Sequence, residues 1–108
     1  MPNFRNSTTS TIAANGGTVS LAYRQFFNGG VGVQVTGTFS GTLQFEMTID
    51  GTNFVAVQAT NVNTGAVATT TTGTGIFKFD VVGALVVRVR ATAWTSGTAT
   101  VTVVGMAG

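Results

Sequence analysis

The chain has 108 residues and no His or Cys, and only 7% of its residues are charged, with a formal net charge of +2. Its carboxylates are Glu46, Asp50 and Asp80. Most enzyme mechanisms need a proton carrier with a tunable pKa, an activated nucleophile or a bound metal, and this composition supplies almost none of these groups. We therefore expect no enzyme activity, no catalytic or metal-binding residues and no cofactor, and a protein that acts through its shape and surface.

The cations do not form a dense run in the sequence; they are Arg5, Arg24, Lys78, Arg88 and Arg90. A nucleic-acid partner is not expected, because binding would need a concentrated patch that neutralises phosphates. No membrane partner is expected either. The uncharged stretch 25–45 contains five glycines and several polar residues, and a membrane helix needs an apolar run of about 20 residues. No apolar segment follows Met1, so we expect no signal peptide.

The N-terminal residues 1–16 are polar and weakly periodic, and we interpret them as an N-terminal arm or an edge strand, with a flexible, frayed terminus as the default alternative. From residue 17 onward, small polar and apolar residues alternate with a period of two, which predicts a β-sandwich domain over 17–108. In chain order, the predicted strands cover 8–14, 18–24, 31–39, 42–49, 53–60, 66–72, 76–81, 85–94 and 98–105.

Glycine-containing turn signals separate the predicted strands about every ten residues, among them Ser40-Gly41 and Ser96-Gly97. About eight or nine short strands with this spacing indicate an all-β fold, an antiparallel β-sandwich of jelly-roll or Ig-like type. The alternation also predicts which side chains face the core: Leu43, Phe45, Met47, Ile49, Phe54 or Val55 with Val57, Phe77, Phe79, Leu85, Val87, Val89, Ala91, Val101 and Val103.

The remaining polar and aromatic residues give few candidate sites. Asp50-Gly51 is interpreted as a hairpin turn, and Asp80 is expected to pair with Arg88 or Arg90 across the turn at Gly83. Tyr23 and Trp94 could stack on a sugar, and a carbohydrate-binding module is therefore the alternative to a purely structural protein. The low charge and the scarcity of Lys and Pro predict strands that pair with other copies, and hence a homo-oligomer.

Two phrases of the sequence are distinctive when taken together. The first phrase spans residues 39–57, from Phe39-Ser40-Gly41 to Val55-Ala56-Val57; the second combines residues 75–83, 87–91 and 95–101, and includes Phe77-Lys78-Phe79-Asp80. In this order, the two phrases resemble small β-sandwich virion structural proteins of tailed bacteriophages. The resemblance implies a capsid decoration (cement) protein on the phage head surface, made in the host bacterial cytoplasm. It implies the major capsid protein as partner and a homotrimer as the assembly.

A tail, baseplate or fibre component is the nearest alternative within this resemblance. Residues 1–16 match neither phrase, so a capsid-gripping arm is our own hypothesis and is not implied by the resemblance. The candidate partner contacts are Phe4 and Arg5 in this arm, with Tyr23 and Trp94 in the sandwich.

Overall fold

The structure is a computed structural model that describes the backbone of residues 4–22, 30–80 and 85–107, and the side chains of residues 7–22, 30–80 and 85–105. The all-β prediction is confirmed: the described residues form nine antiparallel strands and no helix. No helix within these ranges is therefore long and apolar enough to cross a lipid bilayer. The strands are β1 Phe4–Ile12, β2 Thr18–Ala22, β3 Gly30–Thr48, β4 Val55–Ala56, β5 Ala59–Asn61, β6 Val67–Ala68, β7 Thr70–Thr71, β8 Gly75–Asp80 and β9 Val86–Ala107.

Two long strands, β3 and β9, organise the sandwich because they pair with each other from Val31↔Gly105 to Thr48↔Val86 and belong to both of its layers. The first layer consists of β1, residues 96–107 of β9, residues 30–40 of β3, and then β8, β5 and β6. The second layer contains β2, residues 86–94 of β9 and residues 41–48 of β3, with β4 and β7 beside them.

The predicted turns at Ser40-Gly41 and Ser96-Gly97 are wrong, because both long strands continue through these positions. The β3–β9 register instead shifts between Ser40 and Gly41 and again between Thr42 and Leu43, as β-bulges do. Gly97 has a φ of 88°, and a Cβ there would overlap the carbonyl oxygen of Thr38 on the paired strand. The glycine at this bend therefore permits a close strand approach instead of a chain reversal.

The core lies between the two layers. Its buried residues come from both halves of the long strands and include Val31, Val33, Val35, Leu43, Phe45, Phe77, Phe79, Val87, Val89, Ala91, Val101 and Val103. The ring of Phe45 in the second layer lies 5.1 Å from that of Phe77 and 6.2 Å from that of Phe79, both on β8 of the first layer. These aromatic contacts join the layers.

The core prediction is wrong at Ile49 and Leu85, which are 66% and 45% exposed. Both side chains lie just beyond the last β3–β9 pair, Thr48↔Val86. The alternation of apolar residues therefore extends past the point where the opposite layer can cover them.

The N-terminal strand β1 is an edge strand of the first layer. It pairs with β9 from Phe4↔Ala107 to Ile12↔Ala99, and its last side chain, Ile12, is 1% exposed and belongs to the core. The division of the chain at residue 16 stays a prediction.

Candidate docking surface

Trp94 is half-buried at the bend of the sandwich. Its ring stacks on Phe39 with a centroid distance of 5.2 Å and an interplanar angle of 3°. Its indole N–H donates a hydrogen bond of 3.2 Å to the carbonyl oxygen of Gly97, and a Cβ at Gly41 would overlap the indole. Trp94 thus has one aromatic neighbour, a closely packed backbone beside it, and an indole N–H that already donates a hydrogen bond. These contacts are typical of a residue that covers the edge of the core.

The other three candidate contact residues lie away from Trp94 or outside the description. The backbones of Phe4 and Arg5 pair with Ala107 and Met106 at the far end of β9, about 40 Å along the strand from Trp94 at 3.3 Å per residue. The side chains of Phe4 and Arg5, and the whole of Tyr23, lie outside the described residues. The described backbone thus separates Phe4 and Arg5 from Trp94 along β9, and the role of all four residues as partner contacts stays a prediction.

The principal charged cluster involves Glu46, which the sequence prediction did not place in an ion pair. Arg88 Nε lies 2.6 Å from Glu46 Oε1, and Arg90 Nη2 lies 2.9 Å from Oε2. Gln44 donates a further hydrogen bond of 2.5 Å to Oε2. The predicted pairing of Asp80 with either arginine is wrong, because β9 pairs with β3 in a register that places Arg88 directly opposite Glu46.

The Glu46 carboxylate is almost fully buried, with 3% of its side chain exposed, whereas Arg88 and Arg90 are 23% and 36% exposed. Burial raises the pKa of Glu46, but the hydrogen bonds from Arg90, Arg88 and Gln44 outweigh burial and hold the pKa below its ordinary value. The Arg88 guanidinium carbon also lies 3.5 Å from the ring centroid of Phe54. The cluster is satisfied internally and ties β3 to β9.

The Asp50 carboxylate organises the turn after β3, as expected for a hairpin. It accepts hydrogen bonds from the backbone N–H groups of Asn53 and Thr52, each of 2.8 Å. These bonds come first among the causes that hold the pKa of Asp50 well below its ordinary value, together with the side chains of Asn53 and Thr48. All its described partners belong to the protein, and the described residues contain no group of three or more potential metal ligands.

A small cavity of about 130 Å³ lies between the layers. Its lining is mostly apolar and comprises Phe45, Ala59, Asn61, Ala66, Ala68, Thr70, Thr71 and Phe77. The oxygen of the Asn61 side chain already accepts hydrogen bonds from the backbone N–H groups of Asn63 and Thr64. Trp94 does not line this cavity, so the cavity does not form an aromatic sugar platform with that residue.

The outer face of the first layer is a weakly charged surface that extends over several strands. Because Val33 and Val101 point into the core, the alternate residues of β1, β3 and β9 point outward. Those described are mainly hydroxyl or amide residues: Ser7, Thr9, Thr11, Gly32, Gln34, Thr36, Thr38, Thr98, Thr100, Thr102 and Val104. We call this face, together with the outward residues of β8, β5 and β6, the outer face.

The outer face ends in an apolar group on its β6 side. Ile76, Val62 and Val67 are 52%, 55% and 54% exposed, and the Val62 N–H donates to the Ile76 carbonyl oxygen. Lys78 and Asp80 lie on the same side of β8 and are exposed. A face with so few charges can dock without burying many unpaired ions, and we take it as the candidate docking surface.

Comparison with solved structures identifies known proteins that share this fold. SPBc2 prophage-derived protein YomS is 19% identical, the match covers 96% of each chain, and the TM-score is 0.74. PBSX exported protein XepA is 16% identical over 95% of this chain with a TM-score of 0.76, but the match spans 38% of XepA. These identities establish likeness of fold alone. No family model and no curated protein sequence matches the chain.

Sequence reasoning missed both the Glu46 cluster and the outer face as a unit. The alternation of Thr with Val predicted outward hydroxyls on single strands, but it does not specify which strands become neighbours. The pairing of Thr9 with Thr102, whose hydroxyl oxygens lie 2.9 Å apart, joins residues that are 93 positions apart in the chain.

Proposed function

We propose that this chain is a non-enzymatic structural protein of a bacteriophage virion, and specifically a decoration protein that bridges capsid subunits on the head surface. Its partners in this proposal are the major capsid protein and further copies of itself. The trimer implied by the sequence resemblance stays a prediction. The protein would be made in the cytoplasm of the host bacterium and would bridge capsid subunits once it is bound to the particle.

The observation that carries this proposal is the likeness to YomS, a prophage-derived protein, over 96% of both chains. The weakly charged outer face supports attachment through many modest contacts. Repetition of these contacts around a symmetric particle would make attachment strong, provided that the geometry allows simultaneous engagement.

The carbohydrate-binding alternative has less support. A sugar platform needs an accessible aromatic face beside convergent polar groups, whereas Trp94 stacks on Phe39 and its N–H is already bonded to Gly97. We therefore prefer a protein partner to a glycan. The experiment described next distinguishes a location in the tail or fibre from one on the head.

Particles from a bacterial strain that carries the gene provide the test. Purified virions would be separated into heads and tails, each fraction analysed by mass spectrometry, and whole particles imaged by electron cryomicroscopy. We expect the chain in the head fraction, with density for the sandwich on the capsid surface. Absence from virions would overturn the virion role, and presence only in tails would overturn the decoration role.

The predicted arm contacts can be tested on the same particles. If Phe4 and Arg5 contact the capsid, the variants Phe4→Ala and Arg5→Ala should lower the occupancy of heads while the protein stays folded. Lys78→Ala is the matched control for loss of one cation. Equal occupancy for Arg5→Ala, Phe4→Ala and the unchanged protein would remove these two residues from the proposed contact.

A further inference from the structure

The outer edge of β1 is open to pairing with another strand in the described part of the chain. Within the described part of the chain, β1 pairs only with β9, and it stands at the end of the strand order of its layer. The edge is nine residues long, and its pairing with β9 runs without a register shift. By contrast, the described strand at the opposite end of this layer, β6, has two residues.

This edge has little of the usual protection against strand pairing. Natural edge strands are blunted by charged side chains, especially Lys, by Pro, by bulges or by very short length. The sequence Phe-Arg-Asn-Ser-Thr-Thr-Ser-Thr-Ile contains neither Lys nor Pro, and its one charged residue is Arg5, near the end of the strand. Ser7, Thr9, Ser10 and Thr11 are exposed. Every other residue of such a strand directs its N–H and C=O groups away from its existing neighbour, so β1 offers a row of backbone donors and acceptors to another strand.

We propose that two copies of this protein associate through their β1 strands, which pair antiparallel about a two-fold axis at Thr8. The occupant of the edge is thus a second copy, because the strand is complementary to itself in this register. Antiparallel pairing about Thr8 opposes Phe4 to Ile12, Arg5 to Thr11, Asn6 to Ser10, Ser7 to Thr9 and Thr8 to Thr8.

No like charges face each other in this register, and the single cation, Arg5, faces a hydroxyl residue. In each opposed pair, the two residues both have even numbers or both have odd numbers. Since even and odd residues of β1 point to opposite faces of the sheet, this register keeps core-side residues beside core-side residues. A register offset by one residue would mix the two faces. The outer faces of the two copies would therefore continue into one another across the junction.

The contact is isologous and closes with two copies, which differs from the trimer implied by the sequence resemblance. One pair of strands buries less surface than a standard protein interface, so we expect dimers that dissociate on dilution. The proposal rests on the proposed function only in that it specifies how copies of the chain associate with one another. It does not require that the protein bind a capsid. Failure of the particle experiment would leave it standing, and its own failure would not affect the particle experiment.

A cysteine cross-link tests the register, because the chain has no Cys of its own. Directly opposed residues of antiparallel strands have Cα atoms about 4.5–5.5 Å apart, within the range of about 4.4–6.8 Å that a disulfide spans. Thr8→Cys should therefore form a covalent dimer on mild oxidation. Thr11→Cys is the matched control, because its two copies would lie about 20 Å apart along the strands.

Two charged double variants test the interface without covalent chemistry. Ser7→Lys with Thr9→Lys opposes lysines twice across the axis, whereas Ser7→Glu with Thr9→Lys opposes unlike charges twice. Both variants lose the Thr9 hydroxyl contact with Thr102, so they are matched in that respect. Analytical ultracentrifugation measures the mass, and circular dichroism verifies the fold.

We expect the unchanged chain to shift with concentration from 11.0 kDa to twice that mass. The Lys/Lys variant should remain monomeric, and the Glu/Lys variant should dimerise at least as well as the unchanged chain. The proposal is overturned by a monomer at all concentrations, by a trimer, by equal dimerisation of the two double variants, or by cross-linking of Thr11→Cys as readily as Thr8→Cys.

Discussion

Replacement of Glu46 by Gln should destabilise the fold through a loss of charge with little change of shape. The carboxylate binds two guanidinium groups, at 2.6 Å from Arg88 and 2.9 Å from Arg90. A hydrogen bond to a charged group contributes about 1.5–3 kcal/mol, and removal of one partner from a buried pair costs about 3–5 kcal/mol. Both arginines are partly exposed, so water screens part of this loss. We expect Glu46→Gln to lower the free energy of unfolding by about 2 kcal/mol.

Urea unfolding measures this change, with the fluorescence of Trp94, the single tryptophan, as the probe. Asp80→Asn is the matched control, since it changes the net charge equally at an exposed carboxylate for which the described residues provide no ion pair. At about 4–8 °C per kcal/mol, the melting temperature of Glu46→Gln should fall by roughly 10 °C. A loss below about 0.5 kcal/mol, or one equal to that of Asp80→Asn, would refute the reasoning.

The same variant has a defined pH dependence. The pKa of Glu46 is lowered in the folded protein, so its stabilising contribution is fully present above the ordinary Glu pKa of about 4.3 and is lost as the pH falls through the folded-state value. The stability difference between the unchanged protein and Glu46→Gln should be constant from about pH 7 to pH 5 and should shrink below about pH 4. A difference that persists unchanged at pH 2 would contradict the charge-based explanation.

Three further substitutions probe other parts of the structure. Gly97→Ala should cost about 3 kcal/mol in chemical denaturation, because it combines a positive φ with backbone overlap; Gly65→Ala, which has a positive φ but open space, should cost only about 1 kcal/mol. Trp94→Ala should cost about 2 kcal/mol through lost packing on Phe39, measured by circular dichroism, and unchanged stability with loss of glycan binding would instead favour a sugar platform. Asp50→Ala should lower the urea midpoint at pH 7, and the gap should close as the pH falls through the lowered folded-state pKa; a gap independent of pH would exclude the proposed charge effect.

The fold class was accessible from the sequence because alternation of Val and Thr reports directly which side chains share a face. Val87, Val89 and Val101 were predicted inward and are buried. The same pattern could not show that β3 and β9 each run through both layers, since alternation continues on either side of a bend. Glycines that resemble hairpin turns in the sequence, such as Gly97, serve here to let two strands approach closely.

The partners of polar side chains were harder to predict from the sequence, because they depend on long-range strand pairing. Asp80 and Arg88 are close in the sequence, and local reasoning paired them. Glu46 and Arg88 are 42 positions apart, yet their strands place them directly opposite each other. Residue types thus predicted that the arginines would find a carboxylate, and only the sheet register identifies which one.

The neighbouring positions of the first and last strands have a consequence for synthesis. Phe4 pairs with Ala107, so β1 can find its lasting neighbour only after about 100 further residues have been synthesised. Native contacts of such high sequence separation slow folding, and until β9 has been synthesised β1 lacks its partner in the sheet. On a polysome, neighbouring nascent chains would expose unpaired β1 strands close to each other, which favours association between chains before either has folded.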